Sequence, residues 1–139
     1  MDGLIIPDLP PEEEPEFQKA CRKQKLQFVQ LVAPTTADKR AKMLVQKSQG
    51  FIYYVSLRGV TGARKAMPAD LKSHLTKLKR MTSKPVLAGF GISTPEQARA
   101  ISRMSDGVIV GSAVIEHLKS GIPAAERFIE KMARAVHGA

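Results

Sequence analysis

An α/β fold of about five parallel β-α units is the architecture this sequence predicts, on three observations. Short apolar runs rich in β-branched residues alternate with amphipathic segments, the pattern of strands covered on both faces. Most connections between them are short, which favours parallel strands joined by right-handed helical crossovers. Glycines follow two consecutive strands immediately ahead of helices, where backbone amides come free for a ligand.

The elements follow in order. Gly3–Ile6 is the first expected strand, and the acidic run Pro10-Pro11-Glu12-Glu13-Glu14 opens a helix over Pro11–Lys23, since the helix dipole favours negative charge in the first turn. Phe17, Ala20 and Cys21 are spaced to form its inner stripe. Phe28–Ala33 is the second strand, Ala37–Ser48 the second helix and Phe51–Ser56 the third strand. Ala69–Met81 is the third helix, with Leu71, Leu75 and Leu78 as its core stripe. Pro85–Ala88 is the fourth strand. The helix Pro95–Met104 after it has the clearest start: Thr94 can cap, Pro95 loses no needed amide, and Glu96 sits in the first turn. Gly107–Val110 is the fifth strand, followed by a short helix over Ala113–Leu118 and a longer one over Pro123–Val136. Neither an internal repeat beyond the β-α alternation nor a low-complexity linker interrupts the run, so residues 1–139 are expected to form a single domain.

Three loops carry the candidate chemistry. Gly89-Phe90-Gly91-Ile92-Ser93 follows the fourth strand and Gly111-Ser112 the fifth. A glycine there lets backbone approach an anion, and the amides at the next helix start point toward it. In (β/α)₈ barrels a phosphate site is frequently built from the last two strand-to-helix loops and a short extra helix, and Ala113–Leu118 fits that helix. Ser112 adds a hydroxyl donor, with a helix N-cap as its structural alternative. The third loop, Arg58-Gly59-Val60-Thr61-Gly62-Ala63-Arg64, is long for a β-α connection and reads as a binding loop or lid. No dinucleotide fingerprint follows Gly89-Phe90-Gly91, because Pro95 stands where a further glycine or alanine would be sought.

Composition narrows the partners. The formal net charge is +9, but the basic residues are spread over several helices and the chain lacks Trp, so nucleic-acid binding is not expected. No apolar run is long enough to span a bilayer, and the N-terminus does not read as a secretory leader; a cytoplasmic protein with no membrane partner is expected. Cys21 is the only cysteine, which leaves no intrachain disulfide and no cysteine-based zinc site. Its neighbours Ala20, Arg22 and Lys23 suggest a helix surface. His74, His117 and His137 have ordinary packing or surface roles, and neither a Ser-His-Asp grouping nor a metal-ligand spacing is apparent.

Four ordered motifs resemble the tryptophan synthase α-chain family from its fourth strand to its C-terminus. They are Asp2-Gly3-Leu4-Ile5-Ile6-Pro7-Asp8-Leu9-Pro10-Pro11-Glu12-Glu13, Gly59-Val60-Thr61-Gly62-Ala63-Arg64, Gly89-Phe90-Gly91-Ile92-Ser93-Thr94-Pro95-Glu96-Gln97 and Gly111-Ser112-Ala113. The resemblance covers essentially the whole chain. It implies a partial (β/α)₈ TIM barrel, the C-terminal half, since a complete barrel needs ~250 residues. It also implies a carbon-carbon lyase of tryptophan biosynthesis, cleaving indole-3-glycerol phosphate to indole and glyceraldehyde 3-phosphate. Indole would pass to a partner β chain that carries pyridoxal phosphate, with no cofactor on this chain. By resemblance Gly62, Gly91, Gly111 and Ser112 match phosphate-binding positions. Phe90 and Ile109 match positions around the indole, Tyr53 the tyrosine near the substrate, Ile5 a wall residue and Thr61 the lid threonine. The family's catalytic carboxylates lie on its second strand and the loop after it, segments outside this sequence; Asp8 is the acidic residue that follows a barrel strand here, in a region that by resemblance belongs to the contact with the β chain rather than to the catalytic pair. Two other functions compete: a non-catalytic half-barrel that binds phosphate ligands, and another phosphate-binding barrel enzyme. With barrel order kept, the first and fifth strands are edges, and the chain is expected to self-associate through them or to be marginally stable.

Overall fold

The computed structural model describes residues 1–7, 9, 13–55, 70–89 and 91–138. Along the chain run β1 (Gly3–Ile5), α1 (Glu14–Lys23), β2 (Gln27–Val32), α2 (Asp38–Lys47), β3 (Ile52–Val55), α3 (Leu71–Lys79), β4 (Val86–Gly89), α4 (Pro95–Ser102), β5 (Gly107–Val108), α5 (Ser112–Leu118) and α6 (Ile122–His137). The five strands form one sheet in the order β1-β2-β3-β4-β5, every neighbouring pair parallel. All five expected strands and six expected helices are present, with ends shifted by at most three residues. Pro85 illustrates such a shift: it has no amide to donate, so its carbonyl accepts from Ile52 at 2.8 Å while β4 begins at Val86.

The two sheet faces are unlike. On one, the registers align Gln30, Ile52 and Val86, then Val32, Tyr54 and Ala88, and all six are buried. Helices cover this face. Leu71, Leu75 and Leu78 of α3 are buried as their spacing predicts, together with Ala41, Leu44 and Val45 of α2, Ala98 and Ile101 of α4, and Phe128 and Met132 of α6. Each fully covered leucine or isoleucine stabilises the fold by ~1.5–3 kcal/mol relative to exposure. On the other face lie Ile5 and Val29, Leu31, Tyr53 and Leu87, then Val55 and Gly89; Leu31, Tyr53, Val55 and Leu87 are only half-buried and Ile5 is exposed. We call this the open face.

α1 departs from its expected stripe. Phe17 is 40% exposed and Ala20 is exposed, whereas Glu14 and Cys21 are buried and Gln18 half-buried. The helix is rotated because its inner contact is polar. Glu14 Oε1 accepts from the side-chain amides of Gln18, at 3.1 Å, and Gln30, and its Oε2 accepts from Lys47 Nζ at 2.8 Å. A buried carboxylate is tolerated only when paired and hydrogen-bonded in this way. Cys21 is accordingly a core residue at 3% exposure rather than a surface thiol.

At α4 the local code is followed closely. Thr94 Oγ1 accepts from the Gln97 amide at 3.3 Å while Gln97 Oε1 accepts from the Thr94 amide at 3.3 Å, a reciprocal capping box with Pro95 in the first turn.

Candidate functional site

The open face and the loops at the C-terminal ends of β4 and β5 converge on one region, since adjacent parallel strands lie ~4.8 Å apart and their loops issue side by side. Tyr53 and Ile109 meet there over Gly89. A β-carbon placed on Gly89 would stand 2.7 Å from both Cε2 and the hydroxyl oxygen of Tyr53 and 3.0 Å from Ile109 Cβ. The tyrosine ring therefore lies across β4 in the space that any side chain at position 89 would fill. Burial raises the Tyr53 pKa above its ordinary value, so the hydroxyl stays a neutral donor and acceptor through the physiological range. Ile109 is held in place by its amide, which donates to the Ala88 carbonyl at 2.9 Å. Ile5 shares the face but sits on the outer strand β1, 38% exposed and opposite Val29.

The two glycine loops differ in what their amides do. Gly91 turns the chain between β4 and α4 at φ 55°, a left-handed conformation that glycine adopts without penalty. Beyond it the Ser93 and Thr94 amides are both taken up by Gln97 Oε1, at 2.9 and 3.3 Å. Gly111 is the N-cap of α5, and no side chain caps that helix. The first amides of a helix have no intrahelical partner, so α5 presents donors that α4 has already used. Ser112 is the first residue of α5, and Gly111 holds the N-cap position that was its structural alternative. Gly111 and Ser112 are both exposed, and a β-carbon at Gly111 would meet nothing within 4 Å. The region thus joins an apolar wall with a phenol to open backbone donors.

Thr61, Gly62 and Phe90 lie outside the described residues, as do Arg58, Arg64 and Asp8. Among the described residues the open-face positions Ile5, Val29, Leu31, Tyr53, Val55 and Leu87 include no carboxylate, and no three His, Cys, Asp or Glu side chains are grouped to hold a metal ion. No helix among them is long and apolar enough to cross a membrane.

Two of the histidines make contacts away from this region. His74 Nδ1 is 3.1 Å from the Tyr54 hydroxyl on the helix-covered face, away from Tyr53. Burial, and then the charge of Asp70, pushes the Tyr54 pKa up to about 12. The His117 ring stacks on Phe128 with centroids 4.2 Å apart. Sequence inspection missed Gly89 as a positioning residue, because a glycine at a strand end reads first as part of a turn. It also missed Glu14, although Gln30, a polar residue within an otherwise apolar strand, was a sign that a buried partner was needed.

A model of the tryptophan synthase alpha chain family matches residues 1–138. The tryptophan synthase alpha chain of Dehalococcoides mccartyi is 48% identical over 116 residues, which make up 84% of this chain and 46% of that protein. Among solved structures, tryptophan synthase of Mycobacterium tuberculosis superposes with a TM-score of 0.88 at 35% identity, over 99% of this chain and 52% of that one. The tryptophan synthase alpha chain of Legionella pneumophila does so with a TM-score of 0.81 at 33% identity, over 99% and 52%. The chain therefore spans about half the length of the relatives it matches.

Proposed function

This chain belongs to the tryptophan synthase alpha chain family, and from that premise we propose that it forms the phosphate- and indole-binding half of a (β/α)₈ barrel acting on indole-3-glycerol phosphate. The observation that carries the proposal is the neighbourhood of two unlike surfaces. One is the wall of Tyr53 and Ile109 packed around Gly89; the other is the pair of loops at Gly91 and Gly111, the second leading straight into the uncapped start of α5.

The roles follow from that placement. The phosphate sits against the backbone at Gly91, Gly111 and Ser112, and the α5 amides and Ser112 hydroxyl donate to its oxygens; the resemblance adds Gly62 to that set. The indole lies on the open face against Ile109 and Ile5, with Tyr53 beside it; the resemblance adds Phe90 to that wall and makes Thr61 the lid threonine. Cleavage is of the retro-aldol type: the indole C3 takes a proton, the glycerol hydroxyl loses one, and the indole nitrogen carries positive charge in passing. Carboxylates suit these tasks, and the family resemblance puts them on the second barrel strand and its loop, outside this sequence. The chain's own residues bind and orient; proton transfer at C3 and at the hydroxyl belongs to the other half of the barrel. By resemblance, the product indole would pass to a β chain that carries pyridoxal phosphate.

Calorimetric titration of the chain with indole-3-glycerol phosphate and with inorganic phosphate tests this. Both should bind, and Gly111→Asp should weaken both by at least tenfold, because a carboxylate facing the anion costs more than ~1.4 kcal/mol at close range outside bulk water. The open space around Gly111 means that Gly111→Ala should fold normally and separates charge from bulk. Undiminished affinity in Gly111→Asp would place the anion elsewhere.

A further inference from the structure

Behind the open face, on the helix-covered side of the sheet, lies a cavity that the proposed reaction does not use. Successive side chains of β3 alternate between faces, so Tyr53 belongs to the open face and Tyr54 to the core under α2 and α3. Between those two helices and the end of β2 is a space of about 80 Å³. Its walls are apolar, with Val32, Ala41 and Leu78 all buried. Its polar groups sit at two depths. Tyr54, only 2% exposed, forms the floor with its hydroxyl 3.1 Å from His74 Nδ1. Asp38 and Lys77 stand at the mouth, their side chains 63% and 53% exposed, with Lys77 Nζ 2.6 Å from the carboxylate.

We propose that this cavity binds a small α-amino acid as its zwitterion, with the ammonium on Asp38, the carboxylate on Lys77 and the side chain directed inward to Tyr54 and His74. Charge selects that class. An exposed ion pair is worth little against water, so the pair at the mouth opens readily. A simple acid would displace Asp38 from Lys77 and return Asp38 to solvent, and a simple amine would do the same to Lys77; neither gains an ion pair. A zwitterion exchanges one ion pair for two. Size narrows the side chain. A cavity of ~150 Å³ accommodates benzene, so one of about 80 Å³ takes roughly one to three non-hydrogen atoms and excludes an aromatic ring. At the floor a tyrosine hydroxyl can both donate and accept, and His74 takes up one of those roles. The other is left for a hydroxyl on the ligand, which favours a hydroxylated side chain over an alkyl one of equal size. The cavity shares no residue with the indole wall or the phosphate loops, so this assignment stands apart from the function proposed above.

Heteronuclear NMR titration of the whole chain, with L-alanine, L-serine, propionate, ethylamine and L-phenylalanine as probes, tests this. L-Serine and L-alanine should shift amides of α2 and α3 and saturate, serine the more tightly. Propionate and ethylamine should bind at least tenfold more weakly than alanine, and L-phenylalanine should leave those amides unmoved. Asp38→Asn and Lys77→Met change exposed side chains, so each should keep the parent's spectrum while affinity for alanine falls at least tenfold. Tyr54→Phe should remove the preference for serine over alanine. Ala41→Leu, which fills the cavity, should abolish binding; if it does not fold, the two variants at the mouth still decide. Propionate or ethylamine binding as tightly as alanine, no saturation by either small amino acid, or undiminished affinity in Asp38→Asn or Lys77→Met would each overturn the proposal.

Discussion

Gly89 shows how much one missing side chain can settle. Tyr53 occupies the volume above it and Ile109 closes the other side, so Gly89→Ala must push both. Overpacking of this kind costs about 1–3 kcal/mol, read as a lower urea midpoint. The same variant should lose affinity for indole-3-glycerol phosphate while keeping that for inorganic phosphate, because the wall moves and the loop at Gly111 does not. Equal losses for both ligands would mean that Tyr53 is no part of the indole wall. The motif around Gly89 was plain from sequence, but the role of its first glycine was not, since the demand for an absent β-carbon comes from a tyrosine 36 positions away in the chain. Phe17 is the converse case. Helical spacing assigned it to the core, and the structure turns it outward because spacing fixes which residues share a face and leaves open which face is inward.

Single elements were legible wherever their determinants were local. Thr94, Pro95 and Gln97 set the start of α4 within four residues, and the leucines of α3 declare their face at every turn. α1 was misjudged because its inward face is held by a carboxylate, which hydrophobic patterning cannot register. Glu14→Ala should leave the Gln30 amide buried without its acceptor and Lys47 without its counter-ion, a loss of about 2–3 kcal/mol in a chemical melt. If the melt is unchanged, the network contributes nothing net. Between strands, Asp106 joins β4 to α3: Oδ2 accepts from the Val86 amide at 2.9 Å and Oδ1 from Lys79 Nζ at 2.6 Å. Desolvation works to raise its pKa, but hydrogen bonds from Lys79 and Val86 and the charge of Lys79 prevail and lower it below 3.8. A depressed folded-state value means a contribution that is complete above the unfolded pKa and is lost as pH falls through the folded one. Asp106→Asn, which keeps an acceptor for Val86, should therefore be about 1 kcal/mol less stable than the parent at pH 7, and the two should converge on acidification below pH 3.8. A gap that stays constant with pH would assign the loss to packing.

At the scale of the whole molecule, order was more legible than closure. Alternation of apolar runs with amphipathic segments is enough to call five parallel units, because each unit is a local pattern repeated; what lies beyond the outer strands depends on surfaces that no local pattern describes. If association covers those surfaces, the thermal midpoint should rise with protein concentration by mass action, and a midpoint independent of dilution would count against any stabilising self-contact. The strand order has a further consequence, for how the fold comes into being. Among the described residues every strand pairs with its neighbour in sequence, so these pairings do not have to wait for a distant part of the polypeptide. Short loop closures carry a small entropic penalty and speed assembly. Each of these β-α units can dock on the one before it as the ribosome releases it, and α6, which reaches back to α4, secures that helix from the outside.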